Sequence, residues 1–173
     1  MLLAAAANTA ADDAAAQVKR SARQLLEEQA MRAGFLDSVF NLTVVPPNRP
    51  LPVCRQPLRI DTIDTRQARR MRFAATCPGS DGWRHEFVVR ASMSASVLVA
   101  AVALPAGHEL TAADVALAQR DVTNVSDALA SPQAVLGMTS RRSVRAGEVV
   151  REGWLVRSTL VHRGAAVSIV ARS

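Results

Sequence analysis

From residue 85 to residue 99 every odd position carries an apolar side chain or a ring: His85, Phe87, Val89, Ala91, Met93, Ala95, Val97 and Val99. The even positions include Arg84, Glu86, Arg90, Ser92, Ser94 and Ser96. A period of two sorts side chains onto the two faces of an extended chain, whereas a helix would scatter them around its circumference. This stretch is therefore β, as one long strand or as two joined by a bend near the small residues 91–96. Whatever covers its odd face has to be apolar. Arg69–Cys77 alternates in the same way, with Met71, Phe73, Ala75 and Cys77 opposed to Arg70, Arg72 and Thr76. Pro78, Gly79, Asp81 and Gly82 lie between the two runs, so they are predicted to pair as a hairpin.

The flanking sequence supplies the covering layer. Residues 14–33 are good helix formers, with Val18, Leu25, Leu26 and Gln29 on one side, Asp12 or Asp13 as a cap and Gly34 as the stop. Val39–Val45 reads as a strand ended by Pro46-Pro47, the proline-rich residues 46–57 as an extended loop, and Leu58–Ile63 as another strand. Residues 1–13, which start with a short apolar scrap, are expected to be a disordered leader or the remnant of a secretion signal. After Ala103 the texture changes to short strands and turns. Leu104-Pro-Ala-Gly107 is a turn, Thr111–Asp114 a capped helical turn, and Leu117–Val122, Thr139–Val144 and Ala166–Val170 are strand candidates. Leu104-Pro-Ala-Gly107 is faintly echoed by Val144-Arg-Ala-Gly147, at an offset of 40 residues, and His162-Arg163-Gly164 makes a third turn. The organisation expected is a leader over 1–13, an N-terminal helix with an antiparallel β domain over 14–102, and a second β domain over 103–173. The fold class is mainly β within α+β.

Composition narrows the function. The net charge is +6, with Lys19 the single lysine, and aromatic residues are only 3% of the chain. No aromatic interleaves with an arginine run as a base-stacking platform requires, so nucleic acid is not the expected partner. A solvated basic surface, or a patch for an acidic protein partner, remains. No apolar run approaches the roughly 18 residues of a membrane span. Cys54 and Cys77 stand 23 residues apart without a CxxC spacing. They are either a disulfide, which implies an oxidising compartment, or two free core thiols.

No catalytic, cofactor or metal constellation emerges. His85 falls on the apolar face of a strand, and His108 and His162 beside turn glycines. No HxH, HExxH, Cys/His zinc spacing, phosphate loop or GxSxG is present. Glu109, Asp114, Asp121 and Glu148 are scattered among loops. The features left are Trp83 and Trp154, each after a glycine, and the densest positive cluster, Arg141-Arg142 with Arg145 and Arg151 nearby. An aromatic beside arginines suits a protein anchor.

The second half carries Leu104-Pro-Ala-Gly107-x-x-Leu110-Thr111-x-x-Asp114-Val115, then Asp121, then Leu136-Gly137-Met138-x-x-Arg141-Arg142-x-Val144-x-Ala146-Gly147, then Leu155 and Leu160-Val161-x-Arg163-Gly164-x-x-Val167. This order resembles the SAF, or β-clip, domain of the flagellar basal-body P-ring formation chaperones. The N-terminal helix, the two cysteines and Trp83 leading into a long alternating strand are similar to the first half of that family. The resemblance implies a non-enzymatic periplasmic chaperone, without cofactor, that binds the P-ring protein subunit and assists its assembly around the rod. It also implies a Cys54–Cys77 disulfide and a further β-rich segment after Val167, so that residues 166–171 would leave an unpaired edge. We place the partner surface at Arg141, Arg142 and Trp154; oligomeric state is not legible. The competing readings are a SAF-domain component of a pilus or secretion machine, and a sugar-acid-binding SAF module.

Overall fold

The computed structural model describes residues 2–158, with side chains described from residue 10 onward. The strand expected at Ala166–Val170, the His162-Arg163-Gly164 turn and the motif pieces from Leu160 to Val167 lie outside the described residues.

A helix, α1 (Leu2–Arg32), opens the chain. It starts well before the expected residue 14, because the first fifteen residues are mostly alanine, the best helix former, with no glycine or proline among them. It ends at Gly34, whose φ of 70° is the left-handed conformation that favours glycine. There Phe35 N–H donates to Ala30 C=O and Gly34 N–H to Met31 C=O, the paired bonds of a Schellman cap. The buried stripe is Ala14, Val18, Ala22, Leu26 and Ala30. Gln29, expected on that side, is exposed. Alanines take its place because the helix lies close against a sheet, where small side chains permit the approach.

That sheet is built on the odd-position stripe. Strands β1 (Leu36–Val44), β2 (Arg59–Asp64), β3 (Met71–Cys77), β4 (Trp83–Ala100) and β5 (Val115–Asp121) form one antiparallel sheet in the order β1-β4-β3-β2, with β5 also on β4. β4 is one uninterrupted strand of 18 residues, about 60 Å of extended chain. It forms the predicted hairpin with β3, Cys77 opposite Trp83 and Phe73 opposite Phe87. On its other edge residues 89–96 pair with β1. Its last residues, 94–100, pair with β5. β3 and β5 therefore follow one another along the same edge of β4. The gap between them is closed by Thr123, whose hydroxyl accepts from Met93 N–H at 2.9 Å.

The alternation along β4 sorts its side chains into three connected cores. Phe87, Val89 and Ala91 meet α1 with Phe73, Met71 and Leu42. Met93, Ala95 and Val97 meet Ala30, Phe35, Val122 and Ala128. Leu98 and Ala100, on the opposite face, join Leu104, Leu110, Val115, Val135, Val144, Val150 and Leu155. The same strand thus ends inside the core of the second half.

In the second half, β6 (Met138–Ser140) pairs with β7 (Leu155–Arg157). The strand expected over Thr139–Val144 stops at Ser140, since residues 141–143 turn away to bring Val144 onto Leu104. Leu104 N–H donates to Val144 C=O and Val144 N–H to Leu104 C=O, both at 2.8 Å. Around this pair the chain repeats itself at an offset of 40 residues. Gly107 N–H reaches Ser140 C=O as Gly147 N–H reaches Ala100 C=O. Leu110 N–H reaches Met138 C=O as Val150 N–H reaches Leu98 C=O. Ala101 N–H reaches Asp114 C=O as Arg141 N–H reaches Trp154 C=O. The faint echo in the sequence is a pseudo-two-fold duplication of about twenty residues, and Gly107 and Gly147, with φ of 81° and 78°, make its equivalent turns. The architecture is the expected one: mainly β, an N-terminal helix on an antiparallel sheet, then a β-clip.

Candidate functional site

Trp154 and two of the arginines singled out in the sequence converge on one surface. Trp154 ends a short 3-10 turn, Glu152–Trp154, just before β7. It is half-buried, with one part of the ring against the second core. Arg142 lies with its guanidinium carbon 4.3 Å from the ring centroid, and Arg151 with its own at 5.3 Å. Cation–π contacts of this kind are worth about 0.5–1 kcal/mol at exposed sites. Arg141 joins through its backbone, the N–H donating to Trp154 C=O at 2.8 Å, while its side chain points into solvent. Residues 141 and 142 lie in the turn after β6, and only Arg142 presents its charge to the indole. Ser140, the one buried polar residue among those described, fixes this turn by donating its hydroxyl to Arg142 C=O.

Two carboxylates hold the basic side chains in place. Arg151 binds Asp127 through Nε at 2.8 Å and Nη2 at 2.7 Å. Burial alone would raise the Asp127 pKa, but the hydrogen bond and charge of Arg151 outweigh it and hold the carboxyl below its ordinary value. Glu148 accepts from Arg145 N–H at 2.9 Å and lies 3.7 Å from Arg142 Nη2. The Arg142 pair is long and half-exposed, so its guanidinium keeps donors free for an incoming carboxylate. Asp127 escaped the sequence reading. It stands 24 residues from its partner in an irregular segment, and no local pattern marks it.

The remaining candidates lie elsewhere. Cys54 and Cys77 are joined as a disulfide, which ties the proline-rich loop to the end of β3. Trp83 packs against the first core, next to that loop. His85 sits edge-on to Phe87, ring centroids 4.9 Å apart, and its pKa is lowered, first by burial and then by the charge of Arg49. His108 Nε2 lies 3.1 Å from Asp114 Oδ2. Among the described residues, no three His, Cys, Asp or Glu side chains are grouped to hold a metal ion. No described helix is long and apolar enough to cross a membrane. The arrangement around Trp154 offers an aromatic face flanked by the guanidinium groups of Arg142 and Arg151, each also paired with a carboxylate.

Residues 95–173 match the family model described as a chaperone for flagella basal body P-ring formation. No curated protein sequence matches the chain. Among solved structures, Salmonella FlgA in its closed form is similar at a TM-score of 0.55 and 19% identity, over 78% of this chain and 67% of that one. The open form is similar at a TM-score of 0.56 and 18% identity, over 79% of this chain and 63% of that one. The resemblance read from the sequence therefore stands: residues 95–173 match the model of the flagellar basal-body P-ring formation chaperones, and the fold is similar to that of Salmonella FlgA.

Proposed function

We propose that this protein is a periplasmic assembly chaperone that binds the flagellar P-ring subunit and assists ring formation around the rod, catalysing no reaction. The match of residues 95–173 to the chaperone family carries this reading. The disulfide supports an oxidising compartment such as the periplasm. The docking surface in this reading is Trp154 with Arg142, Arg141 contributing its exposed charge. Tryptophan and arginine are both among the residue types enriched at interface hot spots. The units at work in this reading are the helix-and-sheet stem of residues 14–102 and a second unit over 103–173, β4 running from the first into the core of the second.

Capture of the P-ring subunit by the immobilised protein tests this. Trp154→Ala with Arg142→Glu is expected to weaken capture at least tenfold, as the loss of one hot spot of about 2 kcal/mol implies. Arg59→Glu, on the far edge of the sheet, is expected to leave it unchanged. Normal P rings in a strain lacking the gene would reject the assembly role itself; equal capture by all variants would reject the surface alone.

A further inference from the structure

We propose that β1 is a self-pairing edge, through which two copies of this chain form a two-fold dimer with one continuous antiparallel sheet.

The free edges of the sheet differ sharply in chemistry. β2 is blunted by charge: Arg59 pairs with Asp61 at 3.1 Å, and Asp64 with Arg66 at 3.0 Å. β5 ends in Gln119-Arg120-Asp121, and Asp121 pairs with Arg69. Charges on an edge are the usual guard against strand addition. β1 has no such guard. From Ser38 to Val45 it carries no ionisable side chain, and Val39 is 55% exposed. Among the described residues no strand lies on its outer side.

The backbone phase shows which groups are left without a partner. Val45 N–H donates to Val88 C=O at 2.9 Å, and Val44 stands opposite Val89. In an antiparallel ladder bonded pairs alternate with non-bonded ones. Odd residues of β1 therefore bond to β4, and the N–H and C=O of Phe40, Leu42 and Val44 point outward. The run is limited at one end by the irregularity between Leu36 and Val39, where Asp37 has a φ of 51°, and at the other by Pro46-Pro47. Its centre is Asn41.

A two-fold axis at Asn41 suits this run on three counts. Phe40 falls opposite Leu42 of the second copy, and both have outward backbone groups, so each such pair exchanges two hydrogen bonds. Phe40 and Leu42 both face the α1 side, so apolar meets apolar. On the open face Val39 falls opposite Thr43 of the second copy, a β-branched pair that favours the sheet. Each chain carries a net charge of +6, so two copies repel one another, and an edge without ionisable side chains adds no local repulsion to this. Salt therefore tightens the association.

Sedimentation of the whole protein over roughly 1–100 µM decides the matter. The wild type is expected to pass from monomer to dimer, more completely at high salt. Val39→Lys with Thr43→Lys puts lysine opposite lysine at both ends of the pairing without touching a buried residue, and is expected to weaken the dimer at least tenfold with an unchanged circular dichroism spectrum. Thr62→Lys on β2 is the control and leaves the dimer intact. A wild type that stays monomeric throughout overturns the proposal, and the edge would then serve a foreign strand or none. A dimer that survives both lysines, or that salt dissolves, overturns it as well. None of these outcomes depends on the chaperone reading, since no P-ring subunit is present.

Discussion

Replacing Cys54 and Cys77 together by alanine tests what the disulfide contributes, and the structure sets the size of the effect. The bridge closes a loop of 23 residues. The loss of chain entropy in the unfolded state for such a closure is about 11 cal/mol/K, or about 3.4 kcal/mol near 25 °C. Two features indicate that most of this will be felt. Cys77 belongs to β3, and its neighbours Ala75 and Phe73 are fully buried, so the strand end stays in place without the bridge. Leu51, 5% exposed, anchors the proline-rich loop in the first core by a separate contact. The native state is therefore little changed by the substitutions, and the cost falls on the unfolded chain, which gains the freedom of an open loop. In urea, with a slope of about 2 kcal/mol/M, the midpoint should fall by about 1.7 M at nearly constant slope. The melting temperature should fall by about 7–14 °C. A loss under about 1 kcal/mol would refute the entropy argument. A collapse of the native circular dichroism spectrum would refute the claim that Leu51 holds the loop by itself.

Further outcomes follow from packing and charge. Leu104→Ala, at a 2% exposed position on the pseudo-two-fold axis, should destabilise by about 2–5 kcal/mol, while Val102→Ala, 53% exposed two residues away, should cost under about 0.5 kcal/mol, both read from urea unfolding. Combined with Val144→Ala, the Leu104→Ala loss should be non-additive, because the two residues share one contact. Asp114, held down by hydrogen bonds from Thr111, Asp121 by those from Thr123, and Asp127 by Arg151 against its burial, all have lowered pKa values. Each takes up its proton more readily when unfolded, so its stabilising contribution is complete above the unfolded value of 3.8 and is lost as pH falls through the lower folded value. Asp127→Asn should flatten the decline in stability below about pH 4, measured by unfolding at a series of pH values; an unchanged slope would remove Asp127 from the account.

What could be read from the sequence was whatever repeats at short range. The alternation along residues 85–99 is a local signal, and it gave β4, its hairpin with β3 and the side on which α1 must lie. Gly34 marked the helix end because a left-handed residue there is nearly specific to glycine. The helix start was missed, since an alanine-rich leader looks the same whether it is a processed remnant or a helix. The duplication in the second half was all but invisible. Its hydrogen bonds join residues 98–117 to 138–157, yet Ala106/Ala146 and Gly107/Gly147 are the only identical pairs at that offset. Backbone pairing fixes where N–H and C=O must point and leaves side chains free wherever they face water. Arg142 and Trp154 stand out in the sequence as a charge cluster and an aromatic, but that the two touch depends on the turn at 141–143, which the Leu104–Val144 pairing and the Ser140 hydroxyl impose through contacts no local pattern marks.

The duplication also explains where a partner surface can arise. At positions that face the axis, both halves keep apolar residues of similar volume: Leu104 and Val144, Leu110 and Val150, Val115 and Leu155, each 8% exposed or less. A cavity or clash there would cost several kcal/mol, roughly half the stability of an ordinary domain. At the outward positions no such constraint acts, and the halves part company. Ala101 and Val102 correspond to Arg141 and Arg142, and Asp114 corresponds to Trp154. The first half closes its turn with Thr111 donating to Asp114 through both backbone and hydroxyl, a self-contained cap. The second half puts an indole at the equivalent place, which cannot cap the turn and instead supports the guanidinium of Arg142. The cap that Asp114 provides is therefore given up in the second half, and what stands there is an exposed cation on an aromatic base. The two halves of the clip thus share one backbone and differ in the chemistry they present to solvent at this position.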